Sequence, residues 1–368
     1  MRLLLLSRYG PLGSASRVRF YQYLPYLQAQ GLQITVCPLL ADEYVQNLYT
    51  GKRQSFAFLA RAYLTRLRAL LTSQKFDLIW LEKESLPWLP AWLENALTRV
   101  PVVVDYDDAV FHRYDLHPNP LVRILLGRKI DGVMRHAALV IAGNAYLAAR
   151  AQKAGAKQIE ILPSVVDTKR YQPLPQTLTR NANSPLTIGW IGAPVTAPYL
   201  QHIQPALAEI SANGAARVVL VGSGNVLLPG VPLEIRPWTE ANEVANLQQF
   251  DVGIMPLPDE PFERGKCGYK LIQYMACGLP VVASPVGVNQ TIVEPQVNGF
   301  LASTHEEWVQ ALAHLLNHPE LRTQMGAAGR KKVETEYSLQ ANAPRLLTLL
   351  RGYAETSTTN HQSPITTH

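Results

Sequence analysis

The residues best placed to do chemistry lie in one stretch, 259–287, where Arg264, Lys266 and Lys270 surround Gly265 and Gly268. The apolar spacing predicts a helix over 269–277, directly after that turn. A helix start presents backbone N–H groups and the positive end of the helix dipole, which favour anions. Three cations beside it point to a diphosphate, because charge-assisted hydrogen bonds hold phosphate oxygens strongly. Lys270, Gln273 and Tyr274 are spaced i, i+3, i+4 and so share one helix face. Leu279-Pro280 then turns into Val281-Val-Ala-Ser-Pro, which reads as a buried parallel strand. An ordinary turn with solvated basic residues has the same local pattern, so the rest of the chain must decide.

A second set is acidic. Glu82-Lys-Glu-Ser follows an apolar run at 76–81, and Asp105-Tyr-Asp-Asp closes another at 100–105. As parallel strands, these runs would place both groups outside the carboxyl ends, where open α/β sheets gather their chemistry. Asp105, Asp107 and Asp108 could hold a metal, orient hydroxyls or act as a base. They could equally cap or brace a loop.

The elements that must position these groups alternate between strand and helix. A strand at 2–7, a small-residue loop Tyr9-Gly-Pro-Leu-Gly-Ser-Ala-Ser-Arg, a helix at 20–30 and a strand at 32–38 form a βαβ opening. That loop lacks a full G-x-G-x-x-G, so no dinucleotide site is expected. Strands at 139–142 and 159–162 complete a first sheet. Residues 171–185, rich in Pro, Asn, Thr and Gln, read as a linker. The plan then repeats, with strands at 186–192, 218–221, 233–236 and 252–256, a loop at 193–198 and a helix at 199–213. Gly192, Gly222 and Gly268 fall at carboxyl ends and would face one crevice. Helices at 306–316, 319–337 and 340–354 follow, and the polar tail at 356–368 reads as disordered. The expected fold class is α/β, with two doubly wound parallel sheets. The expected domains are 1–170 and 186–338, a helix at 339–355 crossing back, and the tail.

At 368 residues, 47% hydrophobic and 17% charged, the chain can bury two cores as a globular protein. Cys37, Cys267 and Cys277 fit no metal or disulfide framework, which places the chain in a reducing compartment. Met1-Arg-Leu-Leu-Leu-Leu-Ser is too short for a secretory leader and reads as the first strand. No run approaches the roughly 20 apolar residues of a membrane span.

The charge is uneven. Residues 1–170 hold 22 Lys and Arg against 13 Asp and Glu, a net of +9, whereas the remainder nets −3. A basic first half suits a phosphate-rich partner or a membrane surface. The segment 52–72 has five cations and no acid. Phe56, Leu59, Tyr63, Leu67, Leu70 and Leu71 form its stripe, with Arg61, Arg66 and Arg68 off it. It reads either as a membrane-surface helix or as a surface helix packing its stripe on the core. A second basic helix is expected at 121–135, with Arg123, Arg128, Lys129 and Arg135.

These features together resemble glycosyltransferase family 4, with its GT-B fold of two Rossmann-like domains facing across a cleft. Lys270-Leu-Ile-Gln-Tyr-Met-Ala-Cys-Gly-Leu-Pro-Val-Val-Ala-Ser is similar to that family's donor-site helix, K-x-x-E-Y-M-A-x-G-x-P-V-V-A-S. Asn298-Gly-Phe-Leu, Leu162-Pro-Ser-Val-Val-Asp-Thr and Ile188-Gly-Trp-Ile-Gly-Ala-Pro resemble its other landmarks, as do Met325-Gly, Gly329-Arg and Tyr337-Ser near the end. The resemblance implies retaining transfer of a sugar from a nucleotide-sugar donor, a UDP- or GDP-sugar, to a glycan or lipid-linked acceptor. It implies no bound metal and no cofactor, the nucleotide sugar being a substrate. The setting it implies is cell-surface polysaccharide or glycoconjugate synthesis in the cytoplasm, peripheral on the inner face of the plasma membrane. Nucleic acid is not an expected partner.

The resemblance also assigns roles. Arg264, Lys266, Lys270 and the backbone of Cys267, Gly268 and Tyr269 would stabilise the leaving diphosphate. Gly13 and Ser14, with Arg17 at the start of its helix, would close over it from the first domain. Asp107 stands where many members carry a donor-contacting histidine and would orient the sugar or the acceptor hydroxyl. Gly192, Ala193 and Thr196 belong to the loop in which many members carry an Arg and a Lys. Gly222, Ser223 and Trp238 would border the nucleobase and ribose, although Trp238 is as easily core. Two departures stand out. The family's Glu-x7-Glu pair is here Gly265 and Gln273, so ribose binding rests on an amide, with Glu263 a possible substitute for the first glutamate. These departures leave two other readings open, a non-catalytic sugar-nucleotide-binding or scaffold protein and a sugar-nucleotide epimerase of the same fold.

Overall fold

The computed structural model describes residues 1–49, 54–174, 185–212 and 214–359. Most of the linker expected at 171–185, the first residues of the basic segment and residues 360–368 lie outside them. The chain forms two compact units: Met1–Ser164 with Asn342–His368, and Val165–Ala341.

Unit one holds the strands β1 (Arg2–Leu6), β2 (Gln33–Val36), β3 (Leu78–Glu82), β4 (Val102–Tyr106), β5 (Leu139–Ala142) and β6 (Ile159–Ile161). All pair in parallel, in the order β2-β1-β3-β4-β5-β6. β3, β4 and β5 are buried at every residue, which suits Leu/Val/Ile runs covered on both faces. The helices that concern the site are α1 (Ser14–Arg19), α2 (Phe56–Leu71), α3 (Ala91–Leu97), α4 (Pro120–Leu126) and α5 (Lys129–His136). The C-terminal helix Leu339–Thr359 packs back on this unit from Asn342 onward: Leu346 and Leu350 are fully buried and Arg351 donates to the Gln30 carbonyl at 2.7 Å.

Three expectations about unit one change. The helix expected at 20–30 begins at Ser14, breaks at Phe20 and resumes at Leu24 with Pro25 in its first turn. Ser14 and Arg17 are therefore helical residues rather than a loop and a helix start. The basic helix expected at 121–135 is two helices, because Gly127 closes α4 by donating to the Arg123 carbonyl. In α2, Arg66 is not on the outer face. It is 1% exposed and donates to the Ser7 and Cys37 carbonyls, which follow β1 and β2 beyond their paired residues. A buried carbonyl requires a donor, and a long guanidinium supplies it. Phe56 and Leu71, from the expected stripe, face outward instead.

Unit two holds β7 (Leu186–Ile191), β8 (Ala216–Val221), β9 (Leu233–Arg236), β10 (Val252–Met255), β11 (Val281–Ala283) and β12 (Gly299–Leu301). Their order is β12-β11-β10-β7-β8-β9, all parallel. The order reverses between β7 and β10, which is the switch point where such sheets bind ligands. The helix α6 (Tyr269–Ala276) crosses this point, with Leu271, Ile272, Tyr274 and Met275 wholly buried. The expected loop at 193–198 is the start of a 3₁₀ helix, Pro194–Ile203, followed by a helix at Gln204–Ser211. Pro194 and Pro198 lack the N–H groups a continuous α-helix requires, so the segment stays in short tight turns.

Candidate functional site

At the switch point of unit two, β7 and β10 pair only over Ile188–Val252 and Gly189–Gly253. Beyond that pair the gap is closed by a side chain. The Tyr274 hydroxyl accepts from the Ile191 N–H at 3.0 Å and donates to the Ile254 carbonyl at 3.3 Å. Burial raises this phenol well above its usual pKa, so it remains a neutral donor and acceptor. Tyr274 thus fixes α6 against both strands, a role its helical spacing alone did not reveal.

Around this point the expected donor-site residues of the second sheet converge. Gly192 leaves β7 beneath the Lys270 stem: a Cβ there would lie 2.5 Å from the Trp190 ring and 2.8 Å from Lys270 Cε. Lys270 Nζ stands 5.3 Å from the Trp190 ring centroid, a cation–π contact. Gly222, at φ +77°, leaves β8 with the Gly192 carbonyl 2.5 Å and Trp238 Cβ 2.9 Å from its would-be Cβ, so only glycine fits. Gly268, at φ +63°, caps α6 with no side-chain hydrogen bond. Ala193 accepts from the Thr196 hydroxyl at 3.0 Å, and Ser223 donates to the Gly224 carbonyl at 2.9 Å, so both loops are braced locally.

The basic turn is less open than its composition implies. Arg264 pairs with Asp259 at 2.7 Å, and Lys266 Nζ lies 5.0 Å from the Phe262 ring and 5.9 Å from Tyr199. Glu263 is buried and accepts from the Tyr199 hydroxyl. Cys267 is buried, and Tyr269 and Lys270 are half-buried at the start of α6.

Gln273 is the largest surprise. It is 3% exposed, and its amide donates to the Tyr171 hydroxyl at 3.1 Å. Tyr171 in turn donates to Glu243 Oε1, and Glu243 Oε2 accepts from the Trp238 indole at 2.6 Å. A carboxylate therefore sits one tyrosine away from Gln273, on the short helix Glu243–Leu247. In this chain of donors the tyrosine has one proton to give, and the amide supplies the other. Gln273→Glu would leave two buried carboxylates competing for that proton. We expect the change to lower stability by about 1–3 kcal/mol, despite restoring the family's residue type. Chemical denaturation checks this, and a variant as stable as the wild type would overturn the arrangement.

Unit one carries a second cluster at its own switch point, between β1 and β3. Glu82 Oε2 accepts from the Ser16 hydroxyl at 2.6 Å and from the Arg8 N–H at 2.7 Å. Asp105 pairs with Arg19 at 2.8 Å, and Arg19 also donates to the Leu162 carbonyl at 3.0 Å. Burial pushes the Asp105 carboxyl up to about 6, with Arg19 opposing the rise. Asp107 and Asp108 share Lys83, at 2.7 and 3.3 Å. Lys83 holds φ +63°, a strained conformation for a lysine. Burial disfavours its charge, but Asp107, Asp108 and Glu82 outweigh burial and hold it above the usual lysine range. The three aspartates are thus met by two cations, Arg19 and Lys83. Asp107 is oriented by Lys83, Gly13 packs on Tyr9, and Arg17 donates to the Pro11 carbonyl at 3.5 Å. Arg19 and Glu82 carry the cluster, yet their partners lie 86 and 66 residues away in sequence.

Comparison with known proteins agrees with these two units. Residues 12–164 match a family model described as "Glycosyl transferase 4-like domain", and residues 186–318 match "Glycosyl transferases group 1". A D-inositol 3-phosphate glycosyltransferase of Segniliparus rotundus is 30% identical over 234 residues, covering 56% of this chain and 48% of that protein. A GDP-mannose-dependent monoacylated alpha-(1-6)-phosphatidylinositol monomannoside mannosyltransferase of Corynebacterium glutamicum is 34% identical, covering 52% of this chain and 56% of that protein. The matches span from 21% to 56% of the length of such relatives. Among solved structures, sucrose-phosphate synthase of Thermosynechococcus elongatus aligns with a TM-score of 0.70 at 15% identity, over 97% of this chain and 100% of that one. HepE of Anabaena in complex with UDP-glucose aligns at 0.68 and 17%, over 98% of this chain and 100% of that one. These likenesses show the GT-B fold.

Proposed function

Because the chain belongs to the group 1 glycosyltransferases, of GT-B fold, we propose that it moves a sugar, with retention, from a nucleotide-sugar donor to a glycan or lipid-linked acceptor. The observation that carries this reading is the convergence of Gly192, Gly222, Trp238 and Lys270 at the switch point of unit two. Two glycines clear the floor, an indole borders it and one ammonium stands over it, which suits a nucleoside diphosphate. That a structural neighbour is solved with UDP-glucose supports a donor of this class.

In this reading Lys270 takes the developing charge on the leaving phosphate, reinforced by the start of α6. Arg264 and Lys266 join it by exchanging Asp259 and the Phe262 ring for phosphate oxygens. Glu243 sets the Trp238 and Tyr171 rings, so the buried carboxylate acts on the nucleoside through them. Asp107, fixed by Lys83, orients a hydroxyl of sugar or acceptor. The leaving phosphate accepts the acceptor's proton, so the mechanism requires no further base. The reading extends to a cytoplasmic setting and to glycoconjugate synthesis.

A panel of UDP- and GDP-sugars should include one that raises the melting temperature of the full chain, since a ligand bound only by the native state stabilises it. The same compound should be hydrolysed slowly without acceptor. A chain whose melting temperature moves with none of the panel would overturn the proposal, and binding without hydrolysis or transfer would favour a non-catalytic protein.

A further inference from the structure

The loop after β3 is seated by buried side chains, and one of its residues is held out in solvent. Residues 83–87 are buried, whereas Trp88 is 51% exposed. Two residues of this loop take left-handed backbone, Lys83 at φ +63° and Trp88 at φ +64°. Neither type enters that region readily, so each costs free energy and persists only where its surroundings impose it. The surroundings are a set of tethers on the loop's own backbone. Glu94 of α3 accepts from the Ser85 and Leu86 N–H groups, and Lys129 of α5 donates to the Leu86 carbonyl. The Tyr63 hydroxyl of α2 donates to the Pro87 carbonyl at 2.7 Å, and the Trp88 N–H donates to the Tyr114 hydroxyl at 3.2 Å. Glu94, Lys129 and Tyr114 are themselves buried. A rigid seat that holds an indole outward, against both burial and backbone preference, points to a partner for the ring.

The chemistry of the seat narrows that partner. The Trp88 ring centroid lies 5.3 Å from Tyr114 and 5.8 Å from His117, at interplanar angles of 71° and 82°, so neither neighbour stacks flat on it. An indole face carries negative quadrupole charge and attracts positively polarised C–H groups. A pyranose offers such a face, with hydroxyls around its rim. Polar groups for those hydroxyls are at hand: Asp108, 3.3 Å from Lys83, keeps its carboxylate partly exposed, and His117 borders the indole. The loop begins at Lys83, which holds Asp107 at 2.7 Å. Five residues reach at most about 17 Å, so the indole stands within a short oligosaccharide's length of Lys83. Trp92 is the contrast. It is 70% exposed on the helix α3 and has no ring contact among the described residues. A purely apolar partner would take both indoles alike, whereas a sugar platform calls for the one that is seated.

We infer that Trp88 is a saccharide platform, a subsite that stacks a sugar ring of the acceptor beyond the hydroxyl that reacts. The acceptor is then a glycan, or carries one, with at least one ring to spare for Trp88. That the sugar bound there belongs to the acceptor rests on the transferase reading above; the stacking of a sugar ring on Trp88 does not.

The test uses the full chain labelled with 5-fluorotryptophan, in which the signal missing from Trp88→Phe is that of residue 88 and the signal missing from Trp92→Phe that of residue 92. The probes are methyl α-glucopyranoside, methyl α-mannopyranoside, maltose and cellobiose at millimolar concentration. At least one is expected to shift the Trp88 fluorine resonance and leave that of Trp92 in place. No shift with any of the four overturns the inference, as does a shift of both indoles together, which is the mark of unspecific apolar contact. With a probe that accepts the transferred sugar, Trp88→Ala should raise its KM about five- to ten-fold with kcat little changed. Trp88→Phe, which keeps an aromatic face, should recover most of that loss, and Trp92→Ala should match the wild type. Trp88→Gly separates recognition from folding: glycine is at ease at positive φ, so it should melt no lower than Trp88→Ala and still bind sugar as poorly. A wild-type KM in the alanine variant would end the acceptor role of Trp88. If no form of the chain, the wild type included, turns over any nucleotide sugar, the transferase reading fails while the fluorine shift still stands.

Discussion

Lys270→Ala is expected to lower turnover of the nucleotide sugar by about 10²–10³-fold and to abolish the thermal shift that the donor produces. Its ammonium is the cation placed over the Gly192 floor, with its stem against Gly192 and its charge on the Trp190 ring. Like Lys270 on its ring, the other two cations of the turn have partners, Asp259 for Arg264 and aromatic rings for Lys266. They must exchange these before reaching phosphate, and that exchange limits how far they can compensate. The fold should tolerate the loss, since Lys270 is half-buried and the structural work of α6 falls to Tyr274 and its apolar neighbours. Lys270→Met keeps the stem and removes the charge. It should lose as much activity as the alanine variant, which separates charge from packing. Turnover near the wild-type value in either variant would remove Lys270 from the site.

This expectation was legible in the sequence because its parts are local. The turn, the helix start and the i, i+3, i+4 face lie within one short stretch, and the strands around them read as continuous apolar runs. The neighbouring Gln273 was not legible. As a change from the family's glutamate it looks like a loss of charge, but the structure shows the amide serving a tyrosine 102 residues away, which in turn serves Glu243. Nothing in the spacing of Tyr171 or Glu243 marks them as partners of α6. They meet only because the segment after Val165 packs against the unit-two core, where Tyr171 is buried.

The same limit governs unit one. Its acidic cluster was visible as Glu82 to Ser85 and Asp105 to Asp108, and parallel strands put both at one edge. Its cations were not visible, because Arg19, Lys83 and Lys129 look like any other basic residues in a basic half. Periodicity was equally blind to Arg66, whose buried guanidinium answers two carbonyls on other elements. Composition alone led towards a basic outer face on α2, whereas burial assigns the exposed apolar surface to α4, Trp88 and Trp92.

Lys129→Ala should destabilise unit one by about 3–5 kcal/mol, because it leaves carboxylates buried without their cation. Lys129 Nζ is buried between Glu84 at 2.9 Å and Glu94 at 3.4 Å, and it also donates to the Leu86 carbonyl. Glu94 in turn accepts from the Ser85 and Leu86 N–H groups at 2.6 and 3.0 Å, and the Tyr114 hydroxyl donates to Glu84 at 2.8 Å. One lysine therefore holds the loop that carries Trp88 and begins at Lys83. Calorimetry should show the transition of unit one falling, while a nucleotide sugar still stabilises unit two. Transfer to an acceptor should weaken. Lys129→Met keeps the volume and isolates the charge. Burial already raises the Glu94 carboxyl, and Lys129 is the main group opposing that rise. Without the lysine its folded pKa climbs further above the unfolded value. Stability lost by the methionine variant should then be smallest at acid pH, where the carboxyl is protonated in both states, and should grow as pH rises through the folded pKa. A loss that is constant across that range, or a melting temperature equal to the wild type's, would show that Glu84 and Glu94 are neutralised by something other than Lys129.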